Sequence, residues 1–127
     1  YLQMTTTTHN KEINELDQFG KLLLTAGISS WINQPADKEE QLKRSFEIFD
    51  FYMRHTRFDY GNLSKDDIEV NNWTKENKDG GRLHSSYLTK SGKKVWIITS
   101  GYGQQHLNIK YKVNDFCYTT IMSPDEY

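Results

Sequence analysis

Arg82-Leu83-His84-Ser85-Ser86-Tyr87-Leu88-Thr89, then Lys90-Ser91-Gly92-Lys93, then Val95-Trp96-Ile97-Ile98-Thr99 is the stretch on which the fold turns. Leu83, Ser85, Tyr87 and Thr89 alternate with Arg82, His84, Ser86 and Leu88, the period of two that sends successive side chains to opposite faces of a strand. Val95 to Thr99 is β-branched and aromatic, a composition that suits a pleated, half-buried surface. Gly92 supplies the left-handed conformation that a tight connection between two such runs needs. The three pieces predict a β-hairpin. Downstream, Leu107 to Val113 alternates again, Asn114-Asp115 makes a turn, and Phe116 to Met122 forms a further strand. The C-terminal half is therefore expected to be an antiparallel meander of about four strands.

Upstream the period changes. Asp37 with Glu40 starts a helix over 38–56, the Asp oxygen accepting from free amides of the first turn. Leu42, Phe46, Phe49 and Met53 recur in it at helical spacing and predict the buried stripe, widened by a second column at Ile48 and Tyr52. Ser64 with Asp67 starts another helix that stops at Gly80-Gly81, with Ile68, Val70 and Trp73 as its thin apolar contact. Gly27 to Ile32 forms a short helical turn before Pro35, and Ile13, Leu16 and Phe19 give a weak helical spacing. Leu22-Leu23-Leu24 is too short for periodicity to choose between strand and buried helix. Helices leading into a meander make an α+β fold. Residues 1–8 are expected to be a tail outside it, and 9–127 a single domain. Tyr1-Leu2-Gln3 precede Met4, which suggests that the native chain starts at Met4.

The composition narrows the function. The chain has 127 residues, of which 35% are hydrophobic, 26% charged and 13% aromatic; that aromatic share speaks against disorder. Sixteen basic and seventeen acidic side chains nearly cancel, and they do so in each half. This disfavours a generic nucleic-acid binder, whose affinity rests on excess Lys and Arg, and equally an acidic mimic of DNA. One cysteine, Cys117, excludes an internal disulfide framework and a cysteine-rich zinc site; its strand context makes it a packed thiol. No apolar run approaches the roughly 20 residues that span a bilayer, and no signal peptide is visible, so a soluble cytoplasmic protein is expected.

The side chains able to carry chemistry are Arg54, His55, Asp59, Arg82, His84 and Glu126. His55 and Asp59 have the types of a base and its orienting carboxylate, and Arg54 or Arg82 could hold a phosphate or carboxylate bidentately. The packing alternative is as concrete. Arg54 and His55 fall in the last turn of a helix, where cations offset the dipole, and Asp59 sits where a carboxylate bonds local amides. Arg82 could tie the C-terminus to the sheet through Glu126 or Asp59, or stack a base or peptide with Tyr87 and Trp96. No metal-ligand spacing appears, and Ser100-Gly-Tyr-Gly103 lacks the Lys-Ser/Thr of a phosphate cradle, so neither metal nor cofactor is expected. Lys110 and Lys112 share one face of the 107–113 run, an amphipathic edge that could pair with a second copy. Tyr87, Trp96, Tyr102, Lys110 and Lys112 make up the candidate interaction surface, and Trp96 and Phe49 are expected in the core.

Arg54-His55, Asp59-Tyr-Gly-Asn-Leu63, an Asp and an Asn in the next helix, Gly80-Gly-Arg82-x-x-Ser85-x-Tyr87, Trp96-Ile-Ile-Thr99, Thr119-Thr120 and a final Pro124-x-Glu126-Tyr127 follow one another in fixed order. This succession resembles a family of small "plasmid-related" proteins of bacterial plasmids and other mobile elements, whose pattern runs R-H, G-D-W-G-[DN]-L, G-G-R-x-x-S-x-Y, W-I-I-T, T-T and P-x-E-Y. The resemblance covers residues 19–127. It departs from the pattern at Ser100–Tyr118, inserted between the two β runs, and at Phe58, where the family has glycine. The resemblance implies a mobile-element accessory protein acting on another protein, in counter-defence against restriction or CRISPR systems. It implies no particular reaction. A non-catalytic interaction module is therefore the expectation; a small enzyme or nucleotide-binding protein using Arg54, His55, Asp59 and Arg82 is the alternative.

Overall fold

A computed structural model describes residues 18–77, 81–103 and 117–127. Strand β1 (Lys21–Leu24) leads into helices α1 (Ala26–Asn33), α2 (Lys38–Thr56) and α3 (Lys65–Asn77). Strands β2 (Leu83–Leu88), β3 (Lys94–Ser100) and β4 (Tyr118–Met122) follow, and a 3-10 turn at Pro124–Glu126 ends the chain. The class is α+β, with helices early and most strands late. Among the described residues no helix is long and apolar enough to cross a membrane.

The hairpin forms as its pattern dictates. Leu83 pairs with Thr99 and Tyr87 with Val95, and Gly92 takes φ +94° in the connection. The sheet is not a pure meander, however. Its order is β1-β4-β3-β2, and β1 joins β4 in parallel, Leu22 opposite Thr119 and Leu24 opposite Ile121. The three leucines are thus a strand, four residues long in all, and its partner is the last strand of the chain. The strand expected over 107–113 lies outside the described residues, as do Lys110 and Lys112.

One face of the sheet carries the core. Tyr87, Val95, Ile97 and Ile121 meet Ile28 of α1 and Ile48, Phe51 and Tyr52 of α2. Phe51 and Tyr87 stack at 4.7 Å and 6°. The helix therefore turns its second column inward, and most of the stripe expected to be buried lies outside: Leu42, Phe46 and Phe49 are 55%, 67% and 56% exposed, while Met53 is half-buried and packs against the core. At roughly 100° per residue the two columns sit about 140° apart, so the sheet can take only one. The inward column brings His55 with it, and the inward strand faces carry hydroxyls that need a partner. Phe49 is not core. A similar correction applies to α3, where Trp73 and Val70 are exposed and Ile68 is half-buried, while Asn71 and Thr74 are buried. Ser64 caps that helix as expected, accepting from the Asp67 amide at 3.2 Å.

The outer edge of β2 is closed. Ser86 exchanges backbone bonds with Tyr60 and Asn62, and the Asn71 amide group both donates to and accepts from the His84 backbone, at 2.8 and 3.0 Å. Gly61 makes this possible. It sits at φ +70°, and a Cβ there would stand 2.2 Å from the Ser86 carbonyl oxygen.

Candidate functional site

The six polar candidates do not converge. Arg54 and His55 are neighbours on α2, so their side chains leave the helix roughly 100° apart and reach different surroundings.

Arg54 stays at the surface. Its Nε donates to Asp59 Oδ2 at 2.9 Å, and Asp59 Oδ1 accepts from the Gly61 amide at 3.2 Å. The hydrogen bond from Arg54 holds the Asp59 carboxyl below its ordinary range, and the same bond raises Arg54. The guanidinium also lies 4.9 Å from the centroid of Tyr87, whose hydroxyl donates to the Asp59 carbonyl at 2.6 Å. Asp59 thus bonds local amides as expected and clamps the chain leaving α2.

His55 points into the sheet with no exposed surface. Its Nδ1 is 2.6 Å from Ser85 Oγ and its Nε2 2.8 Å from Thr99 Oγ1; Thr99 Oγ1 is 2.7 Å from Thr119 Oγ1, which donates to the Phe19 carbonyl at 2.7 Å. The proton positions follow by elimination, since each hydroxyl has one proton. Thr119 spends its proton on Phe19, so Thr99 donates to Thr119 and must accept from His55 Nε2–H. Nδ1 of the neutral ring then accepts from Ser85. The ring is a neutral Nε2–H tautomer. Burial pushes its pKa down to about 3, with the positive field of His84 adding to the effect. Ser85 and His55 have the types of a nucleophile and base, but the remote ring nitrogen donates to a hydroxyl rather than a carboxylate, and Ser85 too is fully buried. The network joins α2, β2, β3 and β4 to the chain entering β1.

The remaining candidates serve the C-terminus. Glu126 Oε1 accepts from Thr25 Oγ1 at 2.7 Å and from the Ser123 amide at 2.8 Å, while Oε2 accepts from the Gly27 amide at 2.9 Å. These bonds, that to Ser123 foremost, depress its pKa. The carboxylate sits at the start of α1, where the helix dipole favours it. Arg82 binds neither Glu126 nor Asp59; it donates to the Tyr127 hydroxyl and lies 5.3 Å from that ring. The tie between Arg82 and the C-terminus exists, but its partner is a phenol. His84 packs edge-on against Trp96 at 4.5 Å on the opposite sheet face, its Nε2 buried without a hydrogen-bond partner among the described residues and its pKa lowered by burial.

The expected interaction surface fares unevenly. Tyr87 and Tyr102 are each 2% exposed and belong to the interior, so they offer no surface; Trp96 is half-buried between His84 and Tyr127. A groove of about 540 Å³ opens between α1, α2 and the β2–β3 turn. Arg44 lies on its wall and donates to the Trp31 carbonyl at 2.6 Å, and Glu47 accepts from the Lys90 amide at 2.7 Å. None of the six polar candidates lines it. Among the described residues no three His, Cys, Asp or Glu side chains gather as a metal site.

Ser85, Thr99, Thr119 and Asn71 carry no assigned role in the sequence pattern, yet they hold the buried polar contacts. The signal for the first three was present: alternation places them on inward strand positions, where a buried hydroxyl needs a partner. Among the described residues, Leu42, Phe46 and Phe49 on the outward face of α2 stand outside both core clusters. Compared with family models, with curated proteins and with solved structures, the chain matches none.

Proposed function

We propose that this is a non-catalytic protein-interaction module, and that its role is the mobile-element accessory one implied by the family resemblance. The observation that carries the reading is the run of large apolar side chains facing solvent on α2, with Leu42, Phe46 and Phe49 all more than half exposed. A row of this kind on a regular helix is the usual form of a helical protein-contact surface. The charge balance supports a contact built on shape and apolar area rather than on electrostatic mimicry of DNA.

The enzyme reading requires Arg54, His55, Asp59 and Arg82 on one concave wall. Instead Arg54 is paired with Asp59, His55 turns into the sheet, and Arg82 stands at the start of β2 against Tyr127. Affinity capture with restriction and CRISPR effector complexes tests the proposal. A partner held by the wild-type protein and lost on Phe46→Asp supports it. No partner at micromolar protein overturns the counter-defence role.

A further inference from the structure

We propose that the protein self-associates through α2, two copies crossing antiparallel about a two-fold axis with their outward apolar stripes in contact. The inference rests on reading that stripe as a protein-contact surface and names the occupant.

Leu42, Phe46, Phe49 and Met53 are spaced by four, three and four residues along a 19-residue helix. That is the d-a-d-a spacing of a heptad, the narrow seam by which one helix meets another, whereas a sheet is covered by a broader stripe. The sheet already has its own cover, the column of Ile48, Phe51 and Tyr52. Because the two columns are about 140° apart, the described core lies behind the helix, while Trp31 and the β2–β3 turn border the seam across the groove that Phe46 lines.

Charge decides the occupant and its direction. Lys43 and Asp50, both exposed, flank the seam at heptad position e, seven residues apart, on the side that borders the groove. Among the described residues neither side chain makes a hydrogen bond or close ion pair, Asp50 acting only at longer range on Arg54, one turn on. When two copies of α2 run antiparallel with Phe46 against Phe49 of the other, Leu42 comes over the part of Met53 that its own core leaves uncovered, and Lys43 of each copy comes beside Asp50 of the other. The two-fold axis makes this pair twice. An in-register parallel pairing would instead set Lys38 beside Lys43 on both flanks, a repulsion. The helix is complementary to its own reverse. Its three most exposed apolar side chains offer roughly 300–400 Å² per copy. That is below the usual interface size, so a dissociation constant on the order of 10–100 µM is expected.

Sedimentation equilibrium of the full chain between about 5 and 500 µM tests this. Monomer at the low end and dimer at the high end are expected. Phe46→Asp should abolish the dimer without shifting the melting temperature measured at low concentration. Lys43→Asp should weaken association by about fivefold or more, because it turns two attractions into two repulsions, and Lys43→Asp with Asp50→Lys should restore it. A wild-type chain that stays monomeric at the highest concentration overturns the proposal. So does a Lys43→Asp variant that dimerises as tightly as wild type. Loss of a captured partner on Phe46→Asp from a chain that is monomeric throughout would overturn self-association while leaving the interaction module standing.

Discussion

Acid should unfold this protein through His55. In the unfolded chain an imidazole takes up its proton near pH 6.5, whereas His55 in the fold does so only near pH 3. Between those values the unfolded state holds more protons, so stability is complete above about pH 6.5 and declines as pH falls, by about 1.4 kcal/mol per unit in mid-window. The whole interval is worth roughly 5 kcal/mol, comparable with the entire stability of a small domain. The physical cause is double. A charged ring would be desolvated, and a proton on Nδ1 would turn an acceptor of the Ser85 hydroxyl into a second donor facing it. His84 shifts in the same direction and steepens the decline, whereas Asp59 and Glu126, whose pKa values lie below those of free carboxyls, lose their contributions only at lower pH. The assay is urea unfolding from pH 8 to pH 4.5 on wild type, His84→Gln and His55→Gln. His55→Gln should be less stable at pH 7.5 by about 2–4 kcal/mol, because hydroxyls lose their partner, yet its stability should be about 2.5 kcal/mol less sensitive to pH between 6.5 and 4.5. NMR on the wild type should show a neutral Nε2–H ring that does not titrate until the protein unfolds. A His55 resonance titrating near pH 6.5 in the folded protein would refute the reasoning, as would an unchanged pH slope in His55→Gln.

Other consequences are equally direct. At low micromolar protein, Phe49→Ala should alter stability by no more than about 0.5 kcal/mol, whereas Phe51→Ala, which empties the stack on Tyr87, should cost about 3–5 kcal/mol; thermal or urea melts compare them. Gly61→Ala should cost about 2–4 kcal/mol, since it combines a left-handed backbone with a Cβ driven against the Ser86 carbonyl, and amide exchange at Asn62 should rise with it. Asn71→Ala leaves the backbone N–H and carbonyl of His84 without their partner and should cost about 2–4 kcal/mol in the same melts, while Asn72→Ala, exposed one position on, should be near neutral.

The hairpin was legible because β2 buries alternate residues, which writes the period of two into it, and because β3 is β-branched and aromatic as a strand buried on both faces tends to be. Ser64 and Gly92 were legible because caps and tight turns restrict the residue types they accept. The parallel pairing of β1 with β4 was not. Three consecutive leucines have no period, and their partner lies almost a hundred residues along the chain. The inward face of α2 was illegible for another reason: both columns are apolar, and the choice was made by Ser85 and Thr99, whose hydroxyls need His55. Phe58 hides its conformation in the same way. It stands at φ +65°, a region that glycine enters without cost and a phenylalanine rarely adopts. Of the candidate site, the helix-end role of Arg54 and the local bonding of Asp59 could be read from position. The destination of Glu126 could not, because the amide it caps belongs to Gly27, at the other end of the sequence.

The place of β4 in the sheet also governs how the molecule is made. Its neighbours are β3 and β1, so a strand made almost a hundred residues after β1 is the one that joins β1 to the hairpin. Until it emerges, Leu22, Leu23 and Leu24 have no strand to pair with, and Thr25 and Gly27 wait for Glu126. A contact spanning so much sequence is slow to close, and an apolar strand left open meanwhile is a site for pairing with other nascent chains. Expression at lower temperature, or with chaperones that shield unpaired strands, should therefore raise the soluble yield more than any change to the hairpin.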